Sequence, residues 1–121
     1  MKKTVVLGAS PNVSRYAYHA CNMLDQAGFE FIPVGIKKGE ILGKSILDLR
    51  TKPLIEQVHT ITIYINPQHQ KEWYEYILGL QPKRLIFNPG AENMELGAKA
   101  ENLGIHVEYA CTLVLIRTGQ F

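Results

Sequence analysis

The chain has 121 residues, 46% of them hydrophobic, and its 13 Lys and Arg against 11 Asp and Glu leave a formal net charge of +2. That size supports one ordinary globular core rather than two, so residues 1–121 are expected to form a single domain. The basic residues are spread along the sequence instead of gathered into a dense face, which argues against nucleic acid as a partner.

The apolar run after Met1-Lys2-Lys3 stops at Gly8, short of the roughly 7–15 residues of a signal-peptide core. No later stretch approaches the roughly 18 uninterrupted apolar residues of a membrane span. A cytoplasmic protein with no membrane association is the expectation. Cys21 and Cys111 lie far apart without a C-x-x-C pairing, and both read as reduced thiols.

Short β-branched runs alternate with longer amphipathic stretches, the pattern of consecutive βαβ units. Thr4 to Leu7 is the first strand, and Gly8-Ala9-Ser10-Pro11-Asn12 is a tight small-residue turn after it. From Ser14 to Ala27 the residues Ala17, Ala20, Cys21, Leu24 and Ala27 form a helical stripe, with Gly28 suited to the left-handed position that ends a helix. The second strand runs from Phe29 to Gly35, and Ile36 to Ser45, with Gly39 and Gly43, reads as a loop. Pro53 limits Ile46–Glu56 to one or two helical turns.

Ile61-Thr62-Ile63-Tyr64-Ile65 is the third strand and the densest in β-branched residues. Asn66 suits the cap and Pro67 the first position of a helix running to about Leu78, where Gly79 and Pro82 stop it. Arg84 to Asn88 is a fourth strand, Pro89-Gly90-Ala91 a turn, Glu92 to Leu103 a helix, and Ile105 to Tyr109 a fifth strand. Periodicity alone leaves Thr112–Ile116 open between strand and helix. Helical crossovers between consecutive strands require a mainly parallel sheet covered on both faces. The expected fold is therefore α/β: a Rossmann-like, doubly wound, mainly parallel five-stranded sheet, with any ligand at the carboxyl ends of its strands.

A strand, a tight turn and a helix N-terminus make a seat for phosphates, because the first N–H groups of a helix have no internal partner. The turn lacks the later glycines of G-x-G-x-x-G and the G-K-[ST] ending of a P-loop, which argues against a usual NAD or ATP cradle. Ser10 and Asn12 offer hydrogen bonds, and Arg15 adds a fixed charge suited to a phosphate. An acid that holds the ribose hydroxyls of NAD is missing after the second strand, where Val34-Gly35-Ile36-Lys37-Lys38 stands instead. The basic pair fits a phosphorylated ribose, hence NADP or coenzyme A.

His19, His59, His69 and His106 sit on different elements without metal-ligand spacing, so no metal site is expected. His106 and Glu108 alternate onto one face of the fifth strand. Cys111, near the carboxyl edge of the sheet, is the one candidate nucleophile. Glu92 and Glu95 read as acids of a first helical turn. No catalytic set emerges.

Gly8-Ala9-Ser10-Pro11-Asn12 with Arg15, Ile32-Pro33-Val34-Gly35, Glu40-Ile41-Leu42-Gly43-Lys44, Ile65-Asn66-Pro67, Asn88-Pro89-Gly90-Ala91-Glu92-Asn93 and Cys111 fall in one order along the chain. On these motifs the chain resembles the small stand-alone CoA-binding proteins, related to the CoA-binding domain of the succinyl-CoA synthetase alpha subunit. It departs from that family at Gly35-Ile36, around His59-Thr60 and at Tyr109-Ala110. The resemblance implies that coenzyme A or an acyl-CoA is bound with Gly8, Ala9, Ser10, Asn12 and Arg15 around the pyrophosphate. Val34, Gly35 and Lys37 would line the adenosine side, and Asn66, Pro67, Gly90 and Asn93 the other wall.

The family resemblance implies a binding module rather than a ligase, since the phosphorylated histidine and nucleotide grasp of the synthetases lie in further domains. Two alternatives stay open. One is an NADP-dependent reductase that uses Lys37 and Lys38, and the other is a ligand-free interaction subunit of a larger acyl-CoA synthetase. A homo-oligomer or a protein partner is compatible with each.

Overall fold

The structure, a computed structural model, describes residues 2–121. In chain order it contains β1 (Thr4–Leu7), α1 (Tyr16–Gln26), β2 (Phe31–Gly35), β3 (Glu40–Ile41), β4 (Lys44–Ser45) and β5 (Leu47–Asp48). A 3-10 turn (Leu49–Thr51) leads to β6 (Thr60–Ile63). Then come α2 (Pro67–Gln70), a second 3-10 turn (Lys71–Trp73), α3 (Tyr74–Gly79), β7 (Arg84–Phe87), α4 (Met94–Asn102), β8 (His106–Tyr109) and α5 (Thr112–Arg117).

The main sheet has six strands in the order β5-β2-β1-β6-β7-β8, every neighbouring pair parallel. The expected doubly wound α/β fold is present with one strand more than the five expected. Leu47–Asp48 pairs with Val34–Gly35 at the edge, within the stretch expected to be helical. Two residues of ladder are too short to leave a period-2 signal. Beyond them Asp48 caps the 3-10 turn by accepting the Arg50 N–H, and the turn ends before Pro53. The expected loop 36–45 also holds a small hairpin, β3 with β4.

Alternation along the strands divides the core in two. Val5, Leu7, Ile61, Ile63, Leu85 and Phe87 point to the face covered by α3 and α4, where Ile77 and Leu96 meet them. Val6 and Ile86 point to the opposite face, covered by Ala17, Cys21 and Leu24 of α1 and by Leu115 of α5. The undecided tail is thus helical: α5 packs beside α1. Burying both faces is what a parallel sheet requires.

The strands end level. Leu7 pairs with Val34 and Ile63, Ile63 with Phe87, and Phe87 with Tyr109. Every following loop therefore emerges at one edge. From β1 the chain passes to β2 on one side and later to β6 on the other, so the strand order reverses between β1 and β6, where such sheets open a crevice. Among the described residues no helix is long and apolar enough to cross a membrane.

Several boundaries differ from the expected ones. β6 stops at Ile63, two residues early, although the Tyr64 N–H still donates to the Leu7 carbonyl at 2.8 Å, and Tyr64 and Ile65 border the crevice. The helix expected over 67–78 is divided by the 3-10 turn at Lys71–Trp73. α4 begins at Met94, because Asn93 caps it through the Leu96 N–H. Glu92 thus stands before the helix and closes its own turn, accepting the Gly90 N–H at 2.9 Å, while Glu95 occupies the first helical turn as expected.

Candidate functional site

A cleft of about 410 Å³ opens at the carboxyl edge between the ends of β1, β6 and β7. Gly8, Ala9, Ser10 and Arg15 form one side, Lys37 lies toward β2, and Asn66 and Gly90 stand opposite. Of the twelve residues expected to contact ligand, those seven line it. Asn12, Val34, Gly35, Pro67 and Asn93 do not line this cleft, and each has a visible structural task.

The turn after β1 is built by backbone fit. Gly8 has φ +95°, a region L side chains rarely adopt, and a Cβ there would meet the Tyr64 carbonyl carbon at 3.0 Å. The Val34 carbonyl accepts the N–H of Gly8 at 2.8 Å and of Ala9 at 3.1 Å, so those two donors face the sheet rather than the cleft. The Val34 side chain is buried in the core. Further along, the Ser10 hydroxyl accepts the Asn12 N–H, and Asn12 Oδ1 accepts the N–H and hydroxyl of Ser14. Asn12 thereby folds the turn into α1.

Arg15 is the N-cap residue of α1 and makes no side-chain capping bond. The opening N–H groups of the helix therefore remain available where Tyr16 and Ala17 line the cleft, and with Arg15 they present positive potential to it. Lys37 adds a second charge from the loop after β2. Such a set suits a diphosphate.

The opposite wall consists of two loops, after β6 and after β7. Asn66 caps α2 by accepting the Gln68 N–H at 2.9 Å, with Pro67 at the first helical position. Behind them lies the fully buried Gln70, whose Nε2 donates to the Ile65 carbonyl at 2.8 Å and the Ala91 carbonyl at 2.7 Å. Asn93 Nδ2 donates to Gln70 Oε1 and to the Tyr74 hydroxyl. Asn93 is thus a cap and a bridge within the wall.

A second groove of about 390 Å³ adjoins the first and shares Gly8, Ile36 and Ile65 with it. Gly35 lines this one, together with Leu49, Trp73 and the polar Arg50, His69 and Glu72. Arg50 is paired with Asp48 at 3.0 Å, and that pairing holds the Asp48 carboxyl below its ordinary range.

Sequence reasoning missed Tyr16 and Tyr64 as lining residues. Tyr16 falls within the first expected helix and Tyr64 within the third expected strand, and both border the cleft, at the start of α1 and just after β6. Burial pushes the Tyr64 phenol above the usual range, and its hydroxyl is shut off from solvent. Cys111 occupies the N-cap of α5, outside the residues that line either groove. His106 does reach Glu108, at 3.4 Å, but the same carboxylate takes Arg84 at 3.2 Å. Arg84 and His106 begin their strands, at the end of the sheet remote from the cleft.

Residues 2–117 match the family model described as CoA binding domain. The chain belongs to this family. No curated protein sequence matches this chain. It is similar to a crystal structure of an uncharacterized protein, with 55% identity and a TM-score of 0.96 over 100% of this chain and 98% of the other. The cell-free ID.343 protein of Thermus thermophilus superposes with a TM-score of 0.85 at 24% identity, covering 99% of this chain and 90% of its own. A dinucleotide-forming acetyl-coenzyme A synthetase 1 from Ca. Korarchaeum cryptofilum, in complex with phosphate and ADP, gives 0.71 at 17% identity over 88% of this chain and 25% of the synthetase. The last two show the fold alone.

Proposed function

We propose that the protein binds coenzyme A or an acyl-CoA in the cleft between β1 and β6, as a binding module and not as a ligase. The observation that carries this reading is membership of the CoA-binding domain family, together with the uncapped start of α1 facing a cleft beside Arg15. In this reading Ser10, Arg15 and the first N–H groups of α1 hold the pyrophosphate. Gly8 and Ala9 shape the loop that lets the ligand approach, and Asn12 fixes its exit into the helix.

On the β2 side Lys37 pairs with the ribose phosphate, while Val34 and Gly35 provide the backbone floor. Asn66 and Gly90 form the far wall, and Pro67 and Asn93 support it from behind. Each role rests on the family resemblance, and for Gly8, Ala9, Ser10, Arg15, Gly35, Lys37, Asn66 and Gly90 also on a place in the lining of one or both grooves.

Titration calorimetry with coenzyme A, acetyl-CoA and NADPH tests the proposal. Binding of CoA or acetyl-CoA at micromolar concentration, with NADPH at least tenfold weaker, supports it. Tighter binding of NADPH with no CoA heat would move the assignment to a dinucleotide site. The fold shared with part of an acetyl-coenzyme A synthetase makes co-purification of a synthetase-like partner worth following in the same preparations.

A further inference from the structure

Gln70 is a residue type mostly found at surfaces, yet it is fully buried behind the far wall of the cleft. Its two amide hydrogens go to carbonyls on two different loops, Ile65 after β6 and Ala91 after β7, and both residues line the cleft. Its oxygen accepts from Asn93 Nδ2 at 2.9 Å. The other Asn93 hydrogen goes to the Tyr74 hydroxyl at 2.8 Å, and Asn93 Oδ1 accepts the Leu96 N–H at 3.1 Å.

Only one orientation of each amide satisfies this set. Turning Gln70 over would set its oxygen against two carbonyl oxygens and its NH2 against that of Asn93. Asn93 is fixed in turn by the Leu96 N–H, which can only donate. The start of α4 therefore dictates which way the Gln70 amide faces.

We infer that Gln70 is a positioning residue for the binding cleft: it pins the loops after β6 and β7 at a set separation, with Asn93 holding its amide in orientation. The role in ligand affinity rests on reading the cleft as a CoA site. Neither side chain touches ligand. A wall pinned in advance removes the ordering cost that a mobile wall would impose on binding.

Two variants test this, Gln70→Met and Asn93→Asp. The first removes both carbonyl bonds at similar side-chain length. The second keeps an acceptor for Leu96 N–H at a helix start, where a negative charge is favourable, and loses the two Asn93 donations, to Gln70 Oε1 and to the Tyr74 hydroxyl. The readouts are melting temperature, CoA affinity by calorimetry, and amide hydrogen exchange over residues 64–66 and 90–92 in the ligand-free protein.

Asn93→Asp is expected to melt within a few degrees of the parent, exchange faster in both segments, and bind CoA about tenfold more weakly. Parent-like exchange in both loops, or parent-like affinity, overturns the inference. If Gln70→Met does not fold, Asn93→Asp decides alone. If the parent itself fails to bind CoA, the ligand assignment falls. The exchange data then decide the latch, upheld by acceleration confined to the two loops and overturned by none.

Discussion

Gly35 and Ala9 meet backbone against backbone: a Cβ on Gly35 would lie 2.5 Å from the Ala9 carbonyl oxygen and 3.1 Å from its nitrogen. The end of β2 is thus pressed onto the turn after β1, and the two Val34 bonds to Gly8 and Ala9 hold it there. No flexible side chain is available to give way. Gly35→Ala is expected to destabilise the fold by about 1–3 kcal/mol, as overpacking in a rigid site does. Urea denaturation measures this, and CoA affinity is expected to fall as the turn shifts. A variant as stable as the parent would mean that the turn relaxes freely.

Among the described residues the Arg15 side chain has no partner that a substitution would orphan, so its removal separates binding from folding. Arg15→Ala is expected to weaken CoA by about 10- to 100-fold, the range of one charge-assisted contact. Stability is expected to stay within about 0.5 kcal/mol, as for an exposed substitution away from packed features. Calorimetry at two salt concentrations checks both, since loss of a phosphate contact also flattens the salt dependence. Unchanged affinity would remove Arg15 from the site.

Lys37 is expected to act on a different part of the ligand. Its loop follows β2, on the side of the cleft where the proposal puts the ribose phosphate. Wild-type protein is then expected to favour CoA over dephospho-CoA by about tenfold or more, and Lys37→Ala to remove most of that preference. Equal losses for both ligands would assign Lys37 to the pyrophosphate instead.

The strands between Thr4 and Tyr109 were legible because β-branched residues gather where a parallel ladder is buried on both faces. Gly8 to Arg15 was legible for a related reason: turn chemistry and helix starts are local in sequence. What lay hidden depends on distant pairing. Leu47–Asp48 becomes a strand only because β2 offers an edge, and Tyr64 borders the cleft because β1 and β6 end level at Leu7 and Ile63. Nothing in the sequence sets Gln70 apart within the helix expected over 67–78, and its partners are supplied by Ile65, Ala91 and Asn93.

Asn88 shows the same dependence in the core. It stands at the end of β7, 2% exposed, and donates to the Thr62 hydroxyl and the Ile63 carbonyl while its Oδ1 accepts the Thr112 N–H. Thr62 and Thr112 also bond each other at 2.6 Å. The start of α5 is therefore anchored on a residue 24 positions earlier. Asn88→Leu is expected to cost about 2–4 kcal/mol, because it leaves the Thr112 N–H buried without its acceptor and takes one bond each from the Thr62 hydroxyl and the Ile63 carbonyl. Chemical denaturation gives the loss, and hydrogen exchange is expected to show α5 loosened before the rest. A loss under about 1 kcal/mol would mean that water replaces the amide.

The two thiols are expected to differ sharply in reactivity. Cys21 is fully buried on the inner face of α1, and burial pushes its thiol from 9.0 up to about 12, against a smaller opposing pull from Lys44. Cys111 is partly exposed. In native protein at pH 8 a disulfide reagent is expected to modify one thiol, Cys111, and in denaturant both. The same shift has a sign for stability. A thiol whose folded pKa is raised favours folding while it stays protonated in both states, so its contribution is complete below about pH 9. It declines as pH rises toward 12, because the unfolded chain ionises first. The stability difference between the parent and Cys21→Ala is therefore expected to be flat up to about pH 9 and to shrink above it. A difference that grows with alkalinity would show that Cys21 ionises more readily in the fold than out of it.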